Sequence, residues 1–99
     1  MRLRDSQIRQ LKALAAEEAG AGARLRLFGS RVDDTARGGD VDLLLELSTP
    51  VAEPALLAAH LAARASRVLD GRKVDVILTA PNLAHLPIHD IARRHGVEL

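Results

Sequence analysis

The stretch LFGSRVDDTARGGDVDLLLEL, residues 27–47, sets the expectations for the fold. An apolar strand runs into a Gly-Ser pair, a polar segment with two further glycines follows, and two aspartates one residue apart begin a second apolar run. Side chains two positions apart on a strand share a face, so Asp40 and Asp42 should point to one side with their Cα atoms about 6.6 Å apart. The opposite, core-facing side would carry Val41, Leu43, Leu45 and Leu47.

A third aspartate is predicted to join this pair. In KVDVILT, residues 73–79, Asp75 alternates with apolar residues. A β-helix-β connection between residues 41 and 79 should be a right-handed crossover with parallel strands, which would set Asp75 beside the pair. An aspartate between two valines in a buried strand is also costly unless it is paired or binds a metal. Each aspartate taken alone could instead be an ordinary turn or cap residue.

Three carboxylates on one face indicate a metal site. Carboxylates this close repel each other unless positive charge lies between them, and divalent cations that prefer oxygen ligands relieve that repulsion. Two Mg²⁺ ions held by Asp40, Asp42 and Asp75 could activate an attacking oxygen and bind nucleotide phosphates. The sequence therefore predicts a magnesium site at the beginning of two strands.

The Gly29-Ser30 pair is a candidate phosphate-binding turn. It directly follows a strand, and exposed backbone N–H groups with a hydroxyl suit phosphate oxygens, while glycine permits close approach of the backbone. Arg31, the next residue, could pair with phosphate. The alternative is that Gly-Ser is simply a turn or helix cap. Its position ahead of the aspartate pair favours the phosphate-binding interpretation.

Periodicity along the chain predicts an α/β protein. Helices are expected over residues 5–19, 54–69 and 89–95, and strands over 23–28, 41–47 and 73–79, with residues 97–99 as a short edge strand or a frayed end. The order of these elements predicts a small mixed β-sheet flanked by helices. The 99 residues favour one domain, residues 1–99.

Composition excludes several classes of function. The charges of the 14 basic and 13 acidic residues nearly cancel. The net charge therefore does not favour nucleic acid or an anionic membrane as a partner. With one Phe and no Tyr or Trp, base-stacking platforms are lacking. The absence of cysteine excludes disulfides and thiolate metal sites. No secretion signal or membrane-spanning run is evident, so we expect a cytoplasmic protein.

The linked elements FGSR, GGDVDLLLEL and KVDVILT resemble the nucleotidyltransferase superfamily that includes DNA polymerase beta, and most closely its minimal stand-alone members, the MNT domains. The resemblance implies a polymerase beta-like core that moves a nucleoside monophosphate from a nucleoside triphosphate to an acceptor. It implies phosphate binding by Gly29 and Ser30, and Mg²⁺ coordination by Asp40, Asp42 and Asp75.

Minimal MNT proteins resemble MntA-type antitoxins encoded beside HEPN-domain toxins. The resemblance implies ATP as substrate and transfer of AMP onto a tyrosine of the HEPN partner. This chain has no tyrosine of its own, so the acceptor would lie in the partner. The segment between Ser30 and Asp40 is one residue shorter than the family pattern, and Asp34 stands where a glycine is common. The alternative is therefore a non-catalytic antitoxin or nucleotide-binding module that neutralises its partner by binding. Self-association is left open.

His85 and His89 are four residues apart, a spacing that places two ligands on one helical face. Pro87 lies between them and is incompatible with a helix interior. We therefore expect these histidines to be structural.

Overall fold

The computed structural model describes residues 3–28 and 40–99 of the chain. Within these ranges the helices are α1 (Asp5–Ala19), α2 (Pro54–Val68) and α3 (Pro87–His95), and the strands are β1 (Arg24–Phe28), β2 (Val41–Glu46), β3 (Val74–Thr79) and β4 (Val97–Glu98). The α/β prediction is confirmed. The largest difference from the predicted elements is at α3, which begins at Pro87 and not at residue 89. Proline is well suited to the first turn of a helix, because backbone N–H groups there form no hydrogen bond within the helix.

The four strands form one mixed sheet in the order β3-β2-β1-β4. Strand β1 is antiparallel to both β2 and β4, whereas β2 and β3 are parallel, as the crossover rule predicts. The expected edge strand near the C-terminus is present as β4, and Leu99 N donates a hydrogen bond to Leu25 O at 2.9 Å. The start of the parallel pair is closed by a 2.9 Å hydrogen bond from Val41 N to Lys73 O.

Helices α1 and α2 cover one face of the sheet and enclose the main core. Leu43 and Leu45 of β2 are fully buried there, beneath Leu11 of α1 and Leu61 of α2. Burying one such side chain stabilises the fold by about 1.5–3 kcal/mol. The two helices are also joined by Arg64, which hydrogen-bonds to Glu18 and Glu17 of α1, and both bonds raise the pKa of Arg64.

Helix α3 covers the opposite face of the sheet. The alternation in β2 predicted only its odd-numbered side as core, yet Leu44 is also fully buried. It forms a second, smaller core with Phe28 of β1 and Ala92 of α3, against which Ile77 packs. Parallel strands are usually covered on both faces, and α3 provides that second cover here.

No helix in the described ranges is both long and apolar enough to cross a membrane.

Candidate active site

Asp42 and Asp75 are neighbours in the parallel sheet. Their Cα atoms are direct partners in the register of β2 and β3. Adjacent strands lie about 4.8 Å apart, and partnered residues project from the same face, so the two carboxylates leave the sheet side by side. The adjacency predicted from the crossover is observed.

Asp75 is exposed to solvent, whereas Asp42 is half-buried. The expectation that Asp75 lies in a buried strand is wrong. Strand β3 is the edge of the sheet, and Asp75 is its second residue, so its carboxylate reaches water. Burial therefore gives no reason for an aspartate at this position, and only its adjacency to Asp42 points to a role.

Asp40 is exposed and directly precedes β2. It therefore lies at the same end of the sheet as the Asp42 and Asp75 pair. No group of three His, Cys, Asp or Glu side chains that could hold a metal ion occurs in residues 3–28 and 40–99. The assignment of Asp40, Asp42 and Asp75 as a shared set of metal ligands stays a prediction.

The predicted phosphate-binding residues Gly29, Ser30 and Arg31 lie outside the described residues. The residue that precedes them, Phe28, ends β1, and its Cα is partnered with that of Asp42. The chain therefore enters the Gly-Ser segment from the position opposite Asp42. The described strands therefore place Phe28, the residue before Gly29, at the same end of the sheet as Asp42 and Asp75.

Comparison with known protein families identifies the domain. The model of the nucleotidyltransferase domain family matches residues 8–95, which is nearly the whole chain. This chain belongs to that family. The match agrees with the polymerase beta-like fold expected from the sequence. No curated protein sequence matches the chain significantly.

The donor atoms of this nucleotidyltransferase domain are of the kind that Mg²⁺ prefers. Carboxylates are hard oxygen ligands, and Mg²⁺ is commonly held by one or two protein carboxylates together with substrate phosphates and water. Asp42 and Asp75 can supply that share from adjacent strands. Asp40 could add a third carboxylate from the residue before β2. The residues present therefore fit a cation that arrives with a nucleotide.

The sequence analysis missed an ion-pair network that holds α3 against the sheet of this nucleotidyltransferase domain. Glu46, the last residue of β2, accepts a hydrogen bond from Arg26 Nε at 2.6 Å and another from Arg93 Nε at 3.1 Å. Arg26 also lies 3.6 Å from Glu98 of β4. The alternation of Arg24 and Arg26 in β1 was the available signal, because it marks a polar stripe on the face that α3 covers.

The histidines expected to be structural have defined partners. His85 precedes α3 and pairs with Asp90 at 2.9 Å. His89 lies in the first turn of α3, where its Nδ1 accepts a hydrogen bond from Leu86 N at 3.0 Å. These contacts order the beginning of α3, and in the described part of the chain the two histidines belong to no metal-binding cluster.

Proposed function

We propose that this nucleotidyltransferase domain transfers AMP from ATP to a hydroxyl group of a partner protein, using two Mg²⁺ ions bound by Asp40, Asp42 and Asp75. The observation that supports this most is the side-by-side placement of Asp42 and Asp75 on parallel strands. Phe28, which leads into Gly29 and Ser30, is partnered with Asp42. Phe28, the last described residue before the predicted phosphate-binding residues, therefore lies at the same end of the sheet as the two carboxylates.

In the proposed step the acceptor oxygen attacks the α-phosphorus of ATP. The bond from that phosphorus to the oxygen bridging the α- and β-phosphates breaks, and pyrophosphate leaves. Asp75 takes up the hydroxyl proton, for which its exposure leaves room. Ser30 and Arg31 bind the phosphates that leave. Bound Mg²⁺ would supply positive charge beside the phosphate oxygens and lower the barrier to their displacement.

The proposed acceptor is a tyrosine of a HEPN-domain toxin, which makes the chain an antitoxin. The composition supports an acceptor in a separate protein. The 99 residues include no tyrosine, so a tyrosine acceptor cannot be one of them.

The second candidate is a non-catalytic antitoxin that neutralises its partner by binding. The shortened segment between Ser30 and Asp40 favours it. The described residues also contain no group of three potential metal ligands. Both features would follow from a site that no longer needs to align ATP for reaction.

The test is transfer of label from ATP carrying an isotope in its α-phosphate. The chain is incubated with Mg²⁺ and a HEPN-domain protein encoded beside it, and the partner is then examined for a covalent AMP. We expect labelling by the unchanged chain and none by Asp42→Asn. Glu53→Gln, an exposed carboxylate outside the site, is the matched control and should label normally. Absence of label with a partner that still binds the chain would favour the second candidate.

A further inference from the structure

A separate polar cavity lies at the end of the sheet opposite the aspartate pair. Its volume is about 250 Å³. Leu47, which borders it, directly follows β2 and is five residues after Asp42, a distance of roughly 16 Å for an extended chain. It is thus distinct from the proposed AMP-transfer site. Its polar lining is Thr79, His85, His89 and Arg93.

His89 contributes a hydrogen-bond donor whose tautomer is fixed by the backbone. The residue is only 4% exposed. Its Nδ1 faces Leu86 N–H, which can only donate, so Nδ1 is the acceptor and the proton of the neutral ring is on Nε2. Within the described residues Nε2 of His89 has no protein hydrogen-bond partner. Every side-chain nitrogen or oxygen there that is fully shielded from solvent does have a partner, so Nε2 is not fully shielded. Nε2–H therefore reaches the open space beside the ring.

Arg93 and Thr79 add further donors to the cavity wall. Within residues 3–28 and 40–99, Arg93 is bound to Glu46 through Nε alone, and in that part of the chain the N–H groups of both Nη atoms have no acceptor. The Thr79 hydroxyl can also donate. Two carboxylates of the described chain lie nearby: Glu46 pairs with Arg26 and Arg93, and the exposed Asp90 contacts His85. Neither belongs to the cavity lining, which presents the donors of Thr79, His89 and Arg93.

An adjoining cavity of about 470 Å³ extends this lining. The two cavities share Leu47, Thr79 and Arg93, and the polar residues that the second adds are Arg24, Ser48 and Glu46, whose carboxylate is paired with two arginines. Among the described residues Arg24 forms no ion pair, so the added wall brings a further cation and a further hydroxyl. A ligand rich in hydrogen-bond acceptors and carrying negative charge complements both walls.

We propose that His89, Arg93 and Thr79 form a binding site for a phosphate group. Arginine forms charge-assisted, bidentate hydrogen bonds to phosphate, and the Nε2–H of His89 and the hydroxyl of Thr79 complete a set of donors from two directions. The cavity is small, which suits a phosphate better than a whole nucleotide. Free orthophosphate and the terminal phosphate of a nucleotide entering from the adjoining cavity share this chemistry.

Calorimetric titration of the whole chain tests the site, with orthophosphate in one arm and AMP in the other. Both are run at constant ionic strength without Mg²⁺, so that Mg²⁺-dependent binding at the aspartates does not contribute. We expect saturable binding that weakens at least tenfold in Arg93→Gln and in His89→Asn. Asparagine retains an acceptor for Leu86 N–H but not the Nε2 donor. Arg94→Gln removes the same charge one residue away, outside the cavity lining, and should bind within twofold of the unchanged chain.

Nitrogen NMR of the unchanged chain provides a readout that does not depend on folding of the variants. Phosphate binding should shift the Nε2 resonance of His89 and leave that of His60, on α2, in place. Tighter binding of AMP than of orthophosphate would identify a nucleotide as the source of the phosphate, and the reverse would identify the free ion. Absence of saturable binding in both arms, or equal weakening in Arg94→Gln, would overturn the proposal.

Discussion

Asp42 and Asp75 stand opposite each other in the register of two parallel strands, although 33 positions separate them in the chain. Helix α2 makes the return between the strands, and the first residue of β2 is hydrogen-bonded to Lys73, just before β3. The pairing of the aspartates is therefore a property of the sheet and not of a loop. Two carboxylates so close repel each other, and a nucleotide-bound cation would offset that repulsion.

Replacement of Asp75 by asparagine should lower the rate of AMP transfer without lowering the stability of the fold. Because Asp75 is exposed on the edge strand, we expect the free energy of unfolding to change by less than about 0.5 kcal/mol. Loss of its carboxylate should lower AMP transfer by about 100-fold or more, the usual size of a general-base contribution. Urea denaturation and the rate of label transfer measure the two effects. A variant that transfers AMP at the normal rate would remove Asp75 from the mechanism.

Replacement of Glu46 by glutamine should loosen α3. Glu46 is 17% exposed and pairs with Arg26 and Arg93, so its loss leaves two guanidinium groups without their carboxylate. Hydrogen bonds to charged groups contribute about 1.5–3 kcal/mol, and we expect destabilisation of that size by urea denaturation. Glu98→Gln is the matched control, since Glu98 is 47% exposed and lies 3.6 Å from Arg26. It should cost less than about 1 kcal/mol. Equal costs would contradict the assigned role of Glu46.

Replacement of Gly96 by alanine should be strongly destabilising. A Cβ at Gly96 would lie 2.3 Å from Ala92 O and 3.0 Å from Leu27 O, both backbone atoms that cannot move aside cheaply. Overpacking of this kind costs about 1–3 kcal/mol. Gly22→Ala is the control, because its Cβ would meet only Ser48 Oγ at 3.8 Å. Thermal unfolding followed by circular dichroism would measure both, and a Gly96→Ala variant as stable as Gly22→Ala would show that α3 can shift away from β1.

The side chain of Asn82, in the loop after β3, forms two hydrogen bonds with the backbone of the loop after β2. Its Oδ1 accepts a hydrogen bond from Val51 N at 3.0 Å and its Nδ2 donates one to Val51 O at 2.7 Å. Asn82→Asp removes the donor and sets a carboxylate against a carbonyl oxygen, so we expect a loss of about 1 kcal/mol. Gln10→Glu makes the same amide-to-acid change at an exposed position of α1 and should be neutral within about 0.5 kcal/mol. A neutral Asn82→Asp would mean that the loops are held by other contacts.

Sequence reasoning succeeded where a local rule determines the structure. The β-helix-β crossover was enough to predict parallel β2 and β3, and from it the adjacency of Asp42 and Asp75. It failed where burial depends on distant elements. Leu44 is buried because it is covered by α3, whose residues come 43 or more positions later in the chain. Asp75 is exposed because β3 is an edge strand of the described sheet. The Glu46 and Arg93 bond spans 47 positions and has no local signature.

ATP should stabilise the domain in a manner that depends on Mg²⁺. A ligand that binds only the folded chain raises its stability by about 2.7 kcal/mol at a concentration of 100 times Kd, which raises the melting temperature of a domain of this size by roughly 10–20 °C. We expect that shift with ATP and Mg²⁺ and its loss with ATP and EDTA. Asp42→Asn should abolish it. Any metal-independent shift that disappears in Arg93→Gln would belong to the proposed phosphate site, so the two sites can be told apart in one experiment. Stabilisation that is the same with EDTA, and that survives in Asp42→Asn and Arg93→Gln, would favour the non-catalytic alternative.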